Sequence, residues 1–150
     1  MAENVTRPIK ADIDVFLSSV ELAGRREDTQ LLLPLFCRWT GMKPILWTDG
    51  LAGKSGNGIV GFGHYHYRYA SGREGDWFLT GFSPRKQNLV IYIMPGFKGH
   101  EKTLSQLGPH KHSVSCLYLG RLAKNNLDAL ESLVRKSIDE MKEKYDWRTS

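Results

Sequence analysis

Only two cysteines, Cys37 and Cys116, occur in 150 residues, and they form neither a C-x-x-C pair nor a zinc-ligand spacing. That excludes a disulfide scaffold and a cysteine-ligated zinc fold, and leaves two free thiols of the kind a reducing compartment maintains. Apolar runs are a few residues long, too short to cross a bilayer, and residues 1–10 carry no apolar stretch of signal-peptide length. A cytoplasmic chain without a membrane partner is expected. Basic tracts are missing as well: the densest, Arg85-Lys86 and Arg135-Lys136, are pairs. With a formal charge of +5 and a pI of about 9.3, the small, scattered excess reads first as a solvated surface and is also compatible with a small anionic ligand. It does not suit a nucleic-acid binder, whose K/R-G-F/Y signature is lacking. Neither G-x-S-x-G nor Walker-type glycine spacing occurs, so the common routes to acyl transfer and nucleotide hydrolysis have no support, and the reading leans away from an enzyme. No cofactor is expected.

What the chain does contain is enough apolar content for one core. Hydrophobic residues make up 41% and charged residues 25%, which fits a single globular domain over 1–150. Ile13, Phe16, Leu17 and Val20 recur at helical spacing, predicting a helix over residues 10–20. A second helix is expected from about Arg25 to Thr40, with Pro34 inside it and Gly41 as its stop. The stretch 48–58, with four glycines, reads as a loop insert. Long strands are expected over Ile59–Tyr69, Asp76–Phe82 and Asn88–Met94, with a turn at Ser71–Gly75. A short helix over His100–Leu107 and a strand over Val114–Leu119 follow. Leu127, Leu130, Leu133, Val134, Ile138 and Met141 form one stripe of a last helix that Asn125 could cap. Residues 1–9 and 147–150 read as loose ends. Grouped strands argue for an α+β domain: a single antiparallel sheet of about four to five strands, packed by N-terminal and C-terminal helices.

Strand alternation places Gly61, Gly63, Tyr65, Tyr67 and Tyr69 on one face and Phe62, His64, His66 and Arg68 on the other. A bulge at the glycines would break that parity. The two glycines can open a shallow floor beside the phenols, or simply admit a packed neighbour. In the first case Tyr65, Tyr67, Tyr69 and Trp77 would wall a site. Arg73, Glu74 and Asp76 on the turn, Arg85 and Lys86 on the next turn, and His110 with Lys111 on a later loop would hold the polar or anionic part of a ligand. His64 and His66 could share a metal only with a third ligand, which the sequence does not reveal; no metal ligands are assigned.

The pattern I-V-G-F-G-H-Y-H-Y-R-Y-A-S-G-R-E-G-D-W from Ile59 is followed by T-G-F-S-P-R-K from Thr80. M-P-G-F follows from Met94, and L-G-P-H-K from Leu107 leads to C-L-Y at Cys116–Tyr118. Together with T-G-x-x-P-x-x-W from Thr40, these resemble the YdhG-like family of domains of unknown function over nearly the whole chain. The chain departs from the family pattern in a longer Gly-rich link between Trp47 and Ile59, and in Pro109 and Val114 standing where lysines are usual. The resemblance implies an α+β sheet-and-helix domain. Through a frataxin-like branch it also implies an alternative role as an iron-binding chaperone, for which Asp12, Asp14, Glu21, Glu27 and Asp28 are the acidic candidates. The leading expectation is a binding domain for a small polar or anionic ligand, or a partner's segment, on an aromatic sheet face. A homodimer is compatible with it, and an uncharacterised enzyme is the remaining alternative.

Overall fold

The computed structural model describes residues 7–9, 12–48 and 58–149. The 48–58 insert therefore lies, but for its two end residues, outside the described residues. In chain order the elements are β1 (Arg7–Ile9), α1 (Ile13–Ser18), α2 (Ala23–Thr40), β2 (Pro44–Thr48), β3 (Ile59–Phe62), β4 (His64–Arg68), β5 (Glu74–Trp77), β6 (Thr80–Pro84) and β7 (Leu89–Ile93). After these come α3 (Glu101–Leu107), β8 (Lys111–His112), β9 (Cys116–Leu119), a 3-10 turn (Leu122–Lys124), α4 (Leu127–Lys144) and β10 (Trp147–Arg148).

The fold class is α+β, but the strands form two sheets. A seven-stranded sheet has the order β1-β2-β3-β6-β7-β9-β8, and a three-stranded one has the order β10-β4-β5. Every pairing among the described residues is antiparallel. The expected single sheet of four to five strands undercounts for two reasons. Strands β1, β8 and β10 are two or three residues long and carry no periodicity of their own. In addition, two predicted strands each divide between the sheets. The Ile59–Tyr69 strand breaks at Gly63, whose φ of 77° lies in the left-handed region that glycine tolerates best. The Asp76–Phe82 strand breaks at Phe78-Leu79, and the Leu79 amide donates to the Phe62 carbonyl at 3.0 Å. The two breaks face each other, so one long hairpin bends out of the large sheet and becomes the core of the small one. Of the stretches expected to be loose at either end, the described parts are paired: Arg7–Ile9 with β2 and Trp147–Arg148 with β4.

The helices cover one face of the large sheet. Leu32, Phe36 and Trp39 from α2 and Leu130, Leu133, Val134 and Ile138 from α4 pack with Phe62, Phe82, Ile91, Ile93, Leu117 and Leu119 in one core. Helix α4 follows its predicted stripe, with Asp128 in its first turn and Lys142 and Lys144 in its last, as the helix dipole favours. Its cap is Asn126, whose side chain accepts from Asp128 N at 3.0 Å and Ala129 N at 3.2 Å. Asn125, expected in that role, instead donates to the Leu107 and Pro109 carbonyls. Gly41 ends α2 at φ 69° as expected, and Pro34 is accommodated within it. The opposite sheet face carries a smaller cluster of Trp47, Ile59, Phe78, Val90 and Tyr92. Among the described residues no helix is long and apolar enough to cross a membrane.

Candidate functional site

Gly63 decides what the small sheet presents. Without a bulge, residues 62 and 65 of one strand would face opposite ways. Here Phe62 and Tyr65 both join the helix-side core, while His64 meets Trp47 of the opposite cluster at 5.6 Å between ring centroids. The twin glycines open no hollow. A Cβ on Gly61 would stand 2.7 Å from Trp47 Cδ1 and 2.9 Å from Phe78 Cβ, and one on Gly63 would press into Leu79 and Met42. The alternative reading of these glycines, room for packed neighbours, is the one realised.

The register then sorts the hairpin into two chemically distinct faces. Trp147, Tyr65 and Trp77 stand opposite one another across three strands, and Tyr67 stands opposite Gly75. A Cβ on Gly75 would lie 2.6 Å from Tyr67 Oη, so the glycine is what lets the phenol lie across β5. The rings of Tyr69 and Tyr67 are 5.1 Å apart, those of Tyr67 and Tyr65 6.3 Å, and Tyr145 at the end of α4 adds a fourth ring 4.8 Å from Tyr65. Exposure rises along the row, from Tyr65 at 7% to Tyr69 at 57%. Lys142 Nζ stands 4.2 Å over the Trp147 ring, a cation–π contact at the margin of the aromatic face. Burial, reinforced by the neighbouring tyrosines, pushes the Tyr65 phenol far above its ordinary pKa, so it stays neutral.

The other face is ionic. His66 stands opposite Asp76, and Arg68 opposite Glu74. His66 Nδ1 lies 3.0 Å from Asp76 Oδ1, and its Nε2 lies 3.2 Å from Glu74 Oε1. His64 Nε2 approaches the same Asp76 oxygen at 3.1 Å, Arg68 Nε reaches Glu74 Oε2 at 3.3 Å, and a terminal nitrogen of Arg148 comes within 3.4 Å of His64 Nε2. The hydrogen bond to Asp76, helped by Glu74 and opposed by desolvation, raises the His66 pKa. Partial burial pushes the Asp76 carboxyl up, but the bonds from His66 and His64 outweigh it and hold the group below its ordinary value.

The structure thus gathers Tyr65, Tyr67, Tyr69, Arg73, Glu74, Asp76 and Trp77 on one hairpin, with the tyrosine rings on one face and the two acids on the other, while the Trp77 ring packs 5.7 Å from Trp47 and 4.6 Å from Phe78. It does not bring Arg85 and Lys86 to them. Their turn follows Pro84, whereas the hairpin leaves from the Thr80 end of β6, about 14 Å away at strand rise. Arg85 is occupied elsewhere: its Nε donates to Ser83 Oγ at 3.1 Å and a terminal nitrogen donates to Tyr92 Oη at 3.2 Å. Ser83 Oγ in turn donates to the Gly58 carbonyl at 2.7 Å, so the expected anion cradle has spent its hydroxyl internally. Lys111 pairs with Tyr118 at the far edge, three strand spacings or about 14 Å from Ser83. Beside it, His110 Nδ1 is engaged with the Gly108 carbonyl at 2.8 Å.

Three contributors, Tyr145, Trp147 and Arg148, were missed, and Asp76 was named without its imidazole partners. The partner of His64 and His66 was legible in principle, since a turn at residues 70–72 fixes His66 opposite Asp76. Trp147, Arg148 and Tyr145 had no signal, because only the return of the chain after α4 places them. Among the described residues no group of three or more His, Cys, Asp or Glu side chains is placed to hold a metal ion. The hairpin acids face imidazoles that are already hydrogen-bonded, and the Arg148 guanidinium stands where it would repel a cation. Three of the five candidate acids near the first helices are similarly committed: Asp12 caps α1, and Glu27 and Asp28 hold Arg121. No family model, curated protein or solved structure matches the chain.

Proposed function

We propose that the three-stranded sheet is a binding platform for a small planar ligand carrying a polar or anionic group. The observation that carries this reading is the row of four tyrosine rings, Tyr69, Tyr67, Tyr65 and Tyr145, at spacings of 5.1, 6.3 and 4.8 Å on a single face. Both ends of the row are open to solvent, Tyr69 at 57% and Tyr145 at 38%, while Tyr65 between them is buried and anchors it. Stacking on such rings rewards any flat π-system, and Lys142 beside Trp147 and the exposed Arg73 supply positive charge at the margins. The acids of the hairpin lie on the opposite face and do not repel an anion from this one.

The test is a nuclear magnetic resonance titration with defined probes: benzoate, indole-3-acetate and the nucleoside monophosphates, each compared with inorganic phosphate. Shifts confined to Tyr67, Tyr69, Tyr145 and Trp147, and abolished by Tyr67→Ala and Trp147→Ala, are expected. A probe present at 100 times its Kd should also add about 2.7 kcal/mol to stability. Shifts that map to the Arg85 turn or survive both substitutions would remove the aromatic face as the site.

A further inference from the structure

We propose that His66 is a proton-operated clamp on the β4–β5 hairpin, closed when its ring carries two protons and half released when it carries one. The argument rests on donor counting. Both ring nitrogens of His66 face carboxylate oxygens, Nδ1 facing Asp76 at 3.0 Å and Nε2 facing Glu74 at 3.2 Å. An ionised carboxylate only accepts, and a neutral imidazole has only one N–H. The two bonds therefore coexist only on the imidazolium. Losing one proton to solvent turns one of them into a lone pair facing a carboxylate oxygen, a repulsion in place of a strut. His66 is 44% exposed on its side chain, so that proton exchanges freely with bulk water.

The clamp spans both strands of the hairpin and little else. Facing His66 from β5 are Asp76 and Glu74. From β4, His64 shares the Asp76 oxygen and Arg68 holds the second Glu74 oxygen, and from β10 Arg148 stands at His64. The raised His66 pKa gives the sign. Stabilisation from the clamp is complete below the ordinary imidazole range and is lost as the pH climbs through the raised value in the folded chain. The device stands whether or not the opposite, aromatic face binds a ligand, because its consequence is an opening of the hairpin itself.

The reporter is the Tyr69 amide, which donates to the Arg73 carbonyl at 2.8 Å and closes the hairpin end. Its hydrogen-exchange protection factor, corrected for intrinsic rate, is measured across the neutral and mildly alkaline range beside the His66 ring resonances. In the wild type, protection should fall roughly two- to fivefold in step with deprotonation of His66, the size expected of an exposed charged pair. Glu74→Gln should keep protection high throughout, because its amide can donate to the neutral ring. His66→Phe should give low protection at every pH. A wild-type profile that stays flat while His66 titrates, or a step that persists in Glu74→Gln or His66→Phe, overturns the proposal.

Discussion

Replacing Gly61 with alanine adds one methyl group at the point where the sequence suggested empty space. Gly61 has no positive φ, so its backbone suits alanine, and the lower entropy of the unfolded chain alone would stabilise the variant by about 0.4–1 kcal/mol. Packing opposes this. The new Cβ would stand 2.7 Å from Trp47 Cδ1, 2.8 Å from Trp47 Nε1 and 2.9 Å from Phe78 Cβ, all closer than carbon atoms tolerate. Trp47 and Phe78 are 1% and 0% exposed, and their rings are in contact at 5.6 Å, so neither can step aside without displacing the other. Overpacking of this kind costs about 1–3 kcal/mol, which exceeds the entropic gain and leaves a net loss of about 1–2 kcal/mol. Urea unfolding should show a lower midpoint with an unchanged slope. In a Trp47→Phe background the same substitution should cost less, a coupling that measures the shared contact. If Gly61→Ala is as stable as the wild type, the space above β3 is open and the packed account of this face is wrong.

Three further outcomes follow from the same structure. Gly81→Ala should cost more than Gly61→Ala, at the upper end of the about 1–3 kcal/mol overpacking range, because its Cβ would meet the Val60 carbonyl in the β3–β6 pairing and not a side chain; urea unfolding of the two variants side by side checks the order. Asp28→Ala should lose about 1–3 kcal/mol, since the 5%-exposed carboxylate accepts from the Leu122 amide at 3.0 Å and leaves it unpaired when removed; chemical denaturation checks the loss. Asp76, with its pKa held low, contributes stability that is present above the usual carboxylate range and is lost as the pH falls through its depressed value. Asp76→Asn should therefore flatten that part of the acid limb, which melting temperature against pH reads directly.

The parts of this fold that could be read from the chain are those with long periods. The α4 stripe from Leu127 to Met141 and the α2 run ending at Gly41 repeat often enough to declare themselves, and the unbroken apolar, β-branched run of β7 does the same over five residues. The small sheet was hidden for a physical reason. A single left-handed glycine, Gly63, reverses the parity of everything after it, and alternation counted from Gly61 assigns the tyrosines to the wrong neighbours. The acids and the rings were picked out by residue type, but their separation onto two faces depends on the register between strands. The Arg85 turn looked like an anion cradle because it holds the right residues, yet Ser83 and Arg85 turn inward to Gly58 and Tyr92. Trp147 is an example of information that no local pattern holds, since its partner Tyr65 is 82 residues earlier in the chain.

The most direct measurement of the two-faced hairpin is a set of nuclear Overhauser contacts between assigned rings. Contacts should join Tyr65 to Tyr145 and His64 to Trp47, with none from His64 or His66 to Tyr145. Contacts linking the imidazoles to Tyr145 would place rings and charges on one side and contradict the account.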